Sequence, residues 1–418
     1  MQRQIQSVLL SRLKTWRSVA LLGSRQVGKS YLLSEILKAH PGTLISFDDP
    51  LERQEAAGDP VRYLEDRYRP GKYLFIDEAA RVPDIFSAVK IIVDKHDPTP
   101  TGICLANSGN YLLLRKVKES LAGRVSLLSI FPLSWQELLH ADKKPGLITL
   151  IRNGIPKKVE TPPSFTDIKR SREERMLWGG FPTPSLNDDK DARILWMQDY
   201  IRTYVLPLVV EQFNIRDTLA FERAARFLML ENTHFFNANK LAQNIGISQP
   251  TARDYIHYLE AMMVIRRVPI FFKSLIKRLI KQPKIYVSDQ LLVNVCLGFN
   301  FSVQTAIERG IIGPIYESFI FNEVEKTLVN YDVFAQVYSW RTQDKAEVDI
   351  VLSTGAGILP LEIKWSSKIA PKDTTGLRSF LATYPEAKEG YVIYPGKTIQ
   401  KIADRIFAIP DWWLLGCY

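Results

Sequence analysis

The chain has 418 residues, of which 46% are hydrophobic and 24% charged, with a formal net charge of +10. That length holds two or three domains with sizeable cores, and the composition is that of a globular protein rather than a disordered or fibrous one. No apolar run approaches the roughly 18 residues of a membrane helix, the N-terminus lacks the apolar core of a signal peptide, and three scattered cysteines, Cys104, Cys296 and Cys417, give no zinc spacing and suit reduced thiols in the cytoplasm.

Residues 1–14 read as an amphipathic helix. The apolar run 19–22 then reads as a buried strand. It is followed by Gly23, Ser24, Arg25, Gln26, Val27, Gly28, Lys29 and Ser30, and then by apolar residues at helical spacing, Leu32, Leu33, Ile36 and Leu37. Strand, glycine loop and helix make the P-loop context. The glycines let successive N–H groups turn toward phosphate oxygens, and the helix N-terminus adds partial positive charge. Lys29 is placed to reach the β- and γ-phosphates of ATP, and Ser30 to ligate Mg²⁺.

Residues 43–47 form a second strand, and 51–67 a charged helix. The apolar strand 73–76 ends in Asp77-Glu78, the Walker B pattern. Asp77 is a Mg²⁺ ligand, direct or through water, and Glu78 the base that orients and deprotonates the attacking water. A helix over 81–95 and a strand over 102–106 follow, with Asn107 and Ser108 at its tip as candidate sensors of the γ-phosphate. Another helix, a strand over 125–130 and a helix after Pro132 continue the alternation, which predicts a parallel sheet covered on both faces.

The runs GSRQVGKSYL, SFDDP, YLFIDEAARVP, ESLAGRV and FPLSWQEL, with GGFP at 179–182, resemble bacterial and archaeal AAA-type ATPases whose C-terminal half is a domain of unknown function. The resemblance implies that an arginine completes a neighbouring subunit's site in a homo-oligomer, at Arg124; the other reading of Arg124 is a salt-bridged surface arginine. Two departures stand out. Ala106-Asn107-Ser108 replaces the family's usual Thr-Gly-Ser, and Ala80 replaces a usual Gln. Both bear on hydrolysis more than on binding.

Residues 141–171, rich in Lys, Pro and Thr, read as an exposed insertion, and 172–210 as a helical lid broken at Gly179-Gly180. An amphipathic helix over 217–231 precedes a short helix, Gly246, the N-cap Ser248 and a second helix to Ala261, a helix-turn-helix pattern. Gln249, Thr251 and Arg253 lie on its outward face. A wing over 264–272 adds Arg266 and Arg267, and Lys273, Lys277, Arg278, Lys281 and Lys284 follow, so DNA phosphates are candidate partners. The same elements also suit packing or protein contacts.

The strand 284–289, a helix over 315–328 and strands near 333–341, 347–352, 358–364 and 390–394 make the last domain. Asp349, with Glu362-x-Lys364 thirteen residues on, resembles the PD-(D/E)xK nuclease core. Period two puts Glu362 and Lys364 on one strand face. The two carboxylates would hold Mg²⁺ and Lys364 would help activate water; Glu317 matches the extra acidic position that the resemblance implies. The other reading is a scaffold in which Glu362 and Lys364 form an ion pair.

The fold expected is α/β: a P-loop AAA-type parallel-sheet domain over 1–140, an insertion and helical lid over 141–210, a winged helix-turn-helix over 211–283 and a restriction-endonuclease-like α/β domain over 284–418. The function expected is an ATPase that uses ATP and Mg²⁺, acts on DNA, carries a candidate nuclease site and has no membrane partner. The alternative is a slow nucleotide-dependent switch or scaffold that binds a protein or DNA and cuts nothing.

Overall fold

In this computed structural model, which describes residues 2–108, 110–156, 160, 162, 164–274, 278, 282–298 and 302–418, the chain divides into two units. The first is Met1–Leu133 with Ala261–Met263 and Val329–Asp332; the second is Ser134–Glu260, Val264–Leu328 and Val333–Tyr418. Among the described residues no helix is long and apolar enough to cross a membrane.

In the first unit β1 (Ser18–Leu22), β2 (Gly42–Ser46), β3 (Tyr73–Asp77), β4 (Ile103–Asn107) and β5 (Val125–Ser129) form a parallel sheet in the order β2-β3-β4-β1-β5. The central strands β1 and β4 are buried along their whole length because both sheet faces are covered. Ala20, Leu22, Ile76 and Leu105 join one core with Tyr63, Phe86, Val89 and Leu113 from the helices. Val19, Leu21, Phe75 and Cys104 are buried on the other face. The order sets β4 between β1 and β3, so the C-terminal tips of these three strands come together. The one helix read over 51–67 is two, Pro50–Gly58 and Pro60–Arg67. Asp49 and Asp59 cap their first turns, and Pro60 ends the first helix because it cannot donate a backbone hydrogen bond.

The second unit begins with helices. The sequence places 172–210 as a lid on the nucleotide domain; the structure groups these helices with the second unit instead, where the Asn294 side chain donates to the Met176 and Leu177 carbonyls at 3.0 and 2.8 Å. The break after Phe165–Trp178 has a packing cause. Gly179 has φ +66°, and a Cβ there would meet Asp289 Oδ1 at 1.9 Å. Asp289 accepts from the Gly180 and Leu291 N–H groups at 2.8 and 2.9 Å, so it ties the GGFP turn to the helix Gln290–Leu297. The stretch read as an exposed insertion contains the helix Gly146–Asn153 with Leu147, Ile148 and Leu150 buried. Eight residues among Lys, Pro and Gly are too few to display a period.

Helices Thr218–Leu230, Ala238–Ile245 and Gln249–Ala261 follow in order. Gly246, at φ +79°, ends the second, and the Thr251 N–H donates to Ser248 Oγ at 3.2 Å at the start of the third. β6 (Ile265–Val268) then pairs antiparallel with β7 (Lys284–Val287), which also bridges to Phe235. The sequence assigns 284–289 to the last domain; the structure pairs it with β6. The run KIYV suits any half-buried sheet, and nothing local in it names a partner.

The remaining sheet has the order β12-β13-β11-β10-β9-β8, from β8 (Ala335–Arg341), β9 (Glu347–Thr354), β10 (Gly357–Ile363), β11 (Gly390–Tyr394), β12 (Gln400–Ala403) and β13 (Ile406–Pro410). β9 and β10 form an antiparallel hairpin, and β11 runs parallel to β10 and β13. Trp340, Val348, Val351, Phe380 and Val392 form its core. β12, β13 and the buried final turn Asp411–Leu414 lie beyond what the sequence reading reached.

Candidate functional site

The turn after β1 is built by two glycines with different duties. A Cβ on Gly23 would meet Ile130 Cγ2 at 2.6 Å and its carbonyl oxygen at 2.7 Å, so only glycine lets the turn pass this close. Gly28 has φ +95° and starts the helix Lys29–Ala39. Lys29 is buried, and its Nζ donates to the Gly23 and Ser24 carbonyls, each at 2.8 Å. Burial, opposed by the Glu78 and Asp77 carboxylates and assisted by Arg25, brings its pKa down to about 8. Arg25 and Gln26 are exposed on the turn, with Ser24 and Val27 buried beneath them.

The tips of β3 and β4 close on this turn. Ser30 Oγ donates to Asp77 Oδ2. A hydroxyl and a carboxylate oxygen in contact are the hard donor set that Mg²⁺ takes, so the residues present fit that ion. Glu78 sits at φ 51°, unusual for a non-glycine residue, which turns the chain at the strand end. Ser108 Oγ donates to Glu78 Oε1, and Asn107 Oδ1 accepts from the Ala80 N–H at 3.2 Å. Ser108 therefore touches the proposed base, while Asn107 holds the turn behind it. Arg124 lies elsewhere on the unit. Its Nε and Nη2 donate to Asp94 at 2.5 and 3.2 Å, the salt-bridged arrangement.

Sequence reading misses Arg3. Its Nη1 donates to the Val27 carbonyl at 2.7 Å and its Nη2 to the Phe131 carbonyl at 2.8 Å, a buried strut under the phosphate turn. No motif marks it; the only signal is a charged residue just ahead of an otherwise amphipathic helix.

Residues 15–139 match the family model of an AAA domain. The N-terminal part of the chain carries an AAA domain. Residues 169–302 and 312–414 match two further models, each described as a domain of unknown function, DUF8612 and DUF4143. An uncharacterised protein of Mycobacterium tuberculosis is 29% identical over 397 residues, 94% of this chain and 79% of that one. An uncharacterised protein of Methanocaldococcus jannaschii is 24% identical over 317 residues, 73% of this chain and 66% of that one. Among solved structures, a Walker-type ATPase of Pyrococcus abyssi covers 71% of this chain and 95% of its own at 15% identity, with a TM-score of 0.44. The RuvB Holliday junction branch migration motor of Thermotoga maritima covers 68% and 95% at 17% identity, with a TM-score of 0.30.

Beyond the AAA domain, the second unit gathers the acidic residues singled out in sequence around a residue that was read differently. Lys284, placed by sequence among phosphate-contacting cations, is 1% exposed. Its Nζ meets Glu317 Oε1 at 2.7 Å, Glu347 Oε1 at 2.6 Å and Asp349 Oδ1 at 3.0 Å. Burial works against its charge, but Glu317, Tyr286, Asp349 and Glu347 carry its pKa well above the ordinary lysine value. One ammonium does not balance three carboxylates. Burial, and next the charge on Asp349, push Glu317 up to about 7. Asp349 Oδ2 accepts from the Ile363 N–H at 2.8 Å. On β10, Leu361 lies opposite Ile350, so the next step sets Glu362 opposite Asp349. Lys364 Nζ donates to Glu362 Oε1 at 2.6 Å. Burial, and next Asp349, raise the Glu362 pKa well above the usual range. Among the described residues no group of three or more His, Cys, Asp or Glu stands ready to hold a metal ion.

The candidate DNA contacts divide. Gln249 and Thr251 are half-buried at the start of the helix Gln249–Ala261, and Arg253 is exposed on it. Arg266 Nε donates to Glu325 at 3.0 Å and Arg267 Nε to Glu260 at 2.6 Å, so each is already matched by a carboxylate. Arg278 donates to the Phe272 carbonyl and the Tyr338 hydroxyl at 2.5 and 2.9 Å. Lys277 and Lys281 lie outside the described residues.

Proposed function

We propose that this protein binds Mg²⁺–ATP at residues 23–30 and hydrolyses it, with Glu78 as the base. The observation that carries the proposal is the meeting of Ser30, Asp77, Glu78 and Ser108 at the tips of three adjacent strands beside a buried Lys29. Lys29 and the backbone N–H groups of the turn bind and orient the phosphates. Ser30 and Asp77 would hold the ion, which would supply charge neutralisation to the phosphates. Glu78 takes the water proton, and Ser108 fixes the direction of its carboxylate. Glu78→Gln should keep nucleotide binding and lose turnover by roughly 10²- to 10⁴-fold, the usual contribution of a general base. Turnover within a few-fold of wild type would remove Glu78 from that role.

The second unit, in this reading, responds to nucleotide and does not cut. Three ion pairs from the Lys284 ammonium to the acidic cluster support that reading over the nuclease one. The order of helices 218–261 with Phe235, β6 and β7 supports a winged helix, and the exposed Arg253 supports DNA as its partner. Stimulation of ATP turnover by duplex DNA, lost at high salt, tests that partner; turnover indifferent to DNA and unchanged in an Arg253→Ala variant would point to a protein partner instead. Arg124 completing a site in trans remains part of the proposal only if it leaves Asp94. Mixing Arg124→Ala with Lys29→Ala protein should then restore part of the turnover.

A further inference from the structure

We propose that the Lys284 ammonium is the resident cation of the acidic cluster in the second unit, standing where a divalent ion would otherwise draw Glu317, Glu347 and Asp349 together. The inference deepens the non-cutting reading above and rests on it. The ammonium meets three carboxylates, at 2.7, 2.6 and 3.0 Å, and donates hydrogen bonds to two of them, Glu347 and Asp349. Those carboxylates come from two elements, the helix Ile312–Asn330 and β9. The cation comes from a third, β7, which is fixed on one side by β6 and on the other by Phe235. Lys284 is therefore delivered by a paired strand, not by a mobile tail. Its separations are those of ammonium hydrogen bonds, whereas a divalent ion would bring its oxygens to about 2.0–2.6 Å. Both Asp349 oxygens are engaged, Oδ1 by Lys284 and Oδ2 by the Ile363 N–H.

One further atom bears on the place. Glu362, 6% exposed, keeps Oε2 without a hydrogen-bond partner while Lys364 holds Oε1. A buried carboxylate oxygen without a partner is costly, and it belongs to a side chain set opposite Asp349. With Lys284 gone, Asp349, Glu317, Glu347 and this oxygen form a hard-donor set of the kind that Mg²⁺ or Mn²⁺ takes. With Lys284 present, its ammonium occupies the centre of the three carboxylates and the donors are engaged. The wild-type cluster thus takes no divalent ion and supports no metal-dependent phosphodiester cleavage, and a change at Lys284 opens a site.

The test is Mn²⁺ uptake by full-length, nucleotide-free protein, followed through loss of the free-ion resonance signal, with Asp77→Asn in every sample to silence the P-loop ion. Wild-type Lys284 should show no saturable uptake, Lys284→Met should take up about one ion per chain, and adding Asp349→Asn should remove it. Uptake with Lys284 in place that Asp349→Asn abolishes overturns the inference, as does a folded Lys284→Met chain that takes up none. If Lys284→Met melts too low to assay, two further samples decide. Lys284→Arg keeps a cation and should stay blind to Mn²⁺; uptake by it overturns the inference. Millimolar Mn²⁺ should raise the melting temperature of Lys284→Met and leave that of the wild type unmoved; equal shifts overturn it. Cleavage is scored separately. DNA cut by the wild type without Mn²⁺ uptake at Asp349 refutes the non-cutting reading alone and leaves the cation assignment of Lys284 standing.

Discussion

Lys29 and Lys284 are both buried lysines at the start of an element, and they are opposites. The Lys29 ammonium is held by two uncharged carbonyls, and burial lowers its pKa to about 8. The Lys284 ammonium is held by three carboxylates, and its pKa is raised well above the usual value. A buried charge whose direct partners are neutral is destabilising until an anion arrives, and that is the condition of a binding residue. A buried charge surrounded by counter-charges has its partners already, and removing it strands them. Ligand affinity and structural stability are thus expected to separate cleanly between the two positions.

The strongest way to break this contrast is to delete both charges and read stability. Lys284→Met should lower the unfolding free energy by about 3–5 kcal/mol, the usual effect of removing one partner from a buried ion pair. Lys29→Met should leave the nucleotide-free protein as stable as the wild type or more so, because it removes a desolvated charge, and should abolish the stabilisation that ATP gives the native state. Chemical denaturation with and without ATP–Mg²⁺ measures both. If Lys29→Met destabilises as much as Lys284→Met, the two lysines do not differ in kind.

The contrast also has a pH signature in the second unit. Glu317, at about 7 in the folded chain, lies above the ordinary glutamate value near 4.5. The folded state binds that proton more tightly than the unfolded state does. Its contribution to stability is therefore fully present below pH 4.5 and is lost as the pH rises through 7, by up to about 3 kcal/mol. Denaturation curves between pH 4.5 and 7.5 should slope downward in the wild type and less steeply in Glu317→Gln, where the other buried carboxyl with a raised pKa, Glu362, still contributes. An equal slope in both would show that another group titrates there.

These pairs also explain which features were legible in sequence. Gly23, Gly28, Lys29 and Ser30 fall within eight residues of one strand–turn–helix, so their spacing carries their geometry. The apolar run ending at Asp77-Glu78 announces a buried strand with a polar tip, and the alternation of such runs announces the parallel sheet. Lys284 gives no such sign. Its partners Glu347 and Asp349 lie 63 and 65 residues away, on a strand that nothing near Lys284 in sequence names. A basic residue after a helix-turn-helix pattern reads as a phosphate contact until the strand that carries it is seen to be buried. Arg3 was hidden for the same reason, 24 residues from Val27 and 128 from Phe131. Arg124 shows the reverse: the sequence left finger and salt bridge open, and Asp94, 30 residues away, supplies the bridge.

On the AAA domain the same contrast is sharpened by titrating Lys29. With a free-protein pKa of about 8, Lys29 is charged below that value and neutral above it. Phosphate binding favours the charged form, so the dissociation constant of ATP should be flat to about pH 8. Above it, the constant should rise by up to tenfold per pH unit until the bound-state pKa is reached. Lys29→Arg, whose guanidinium stays charged, should show no break near 8 whatever its absolute affinity. A fluorescent ATP analogue titrated from pH 6.5 to 9.5 reads this directly, and a break that survives in Lys29→Arg would assign it to another group.

The smallest expected effect extends the rule to the surface, where matched and unmatched cations sit close together in sequence. Arg266 and Arg267 each donate to a carboxylate, Glu325 and Glu260, while Arg253 stands exposed on the helix Gln249–Ala261. A cation that already has a carboxylate must surrender it before meeting a phosphate, and the gain nearly cancels. An exposed arginine releases a counterion from the duplex at no such loss. If the helix Gln249–Ala261 contacts DNA, Arg253→Ala should weaken duplex binding and reduce the salt dependence by about one ion in the slope of log affinity against log salt. Arg266→Ala should leave that slope unchanged, since its cation is already engaged by the largely buried Glu325. Fluorescence anisotropy across a salt series distinguishes the two variants. Equal slopes for Arg253→Ala and wild type, with a reduced slope for Arg266→Ala, would mean that the carboxylate beside a cation does not decide what else that cation can bind, and the contrast drawn from Lys29 and Lys284 would not hold beyond the interior.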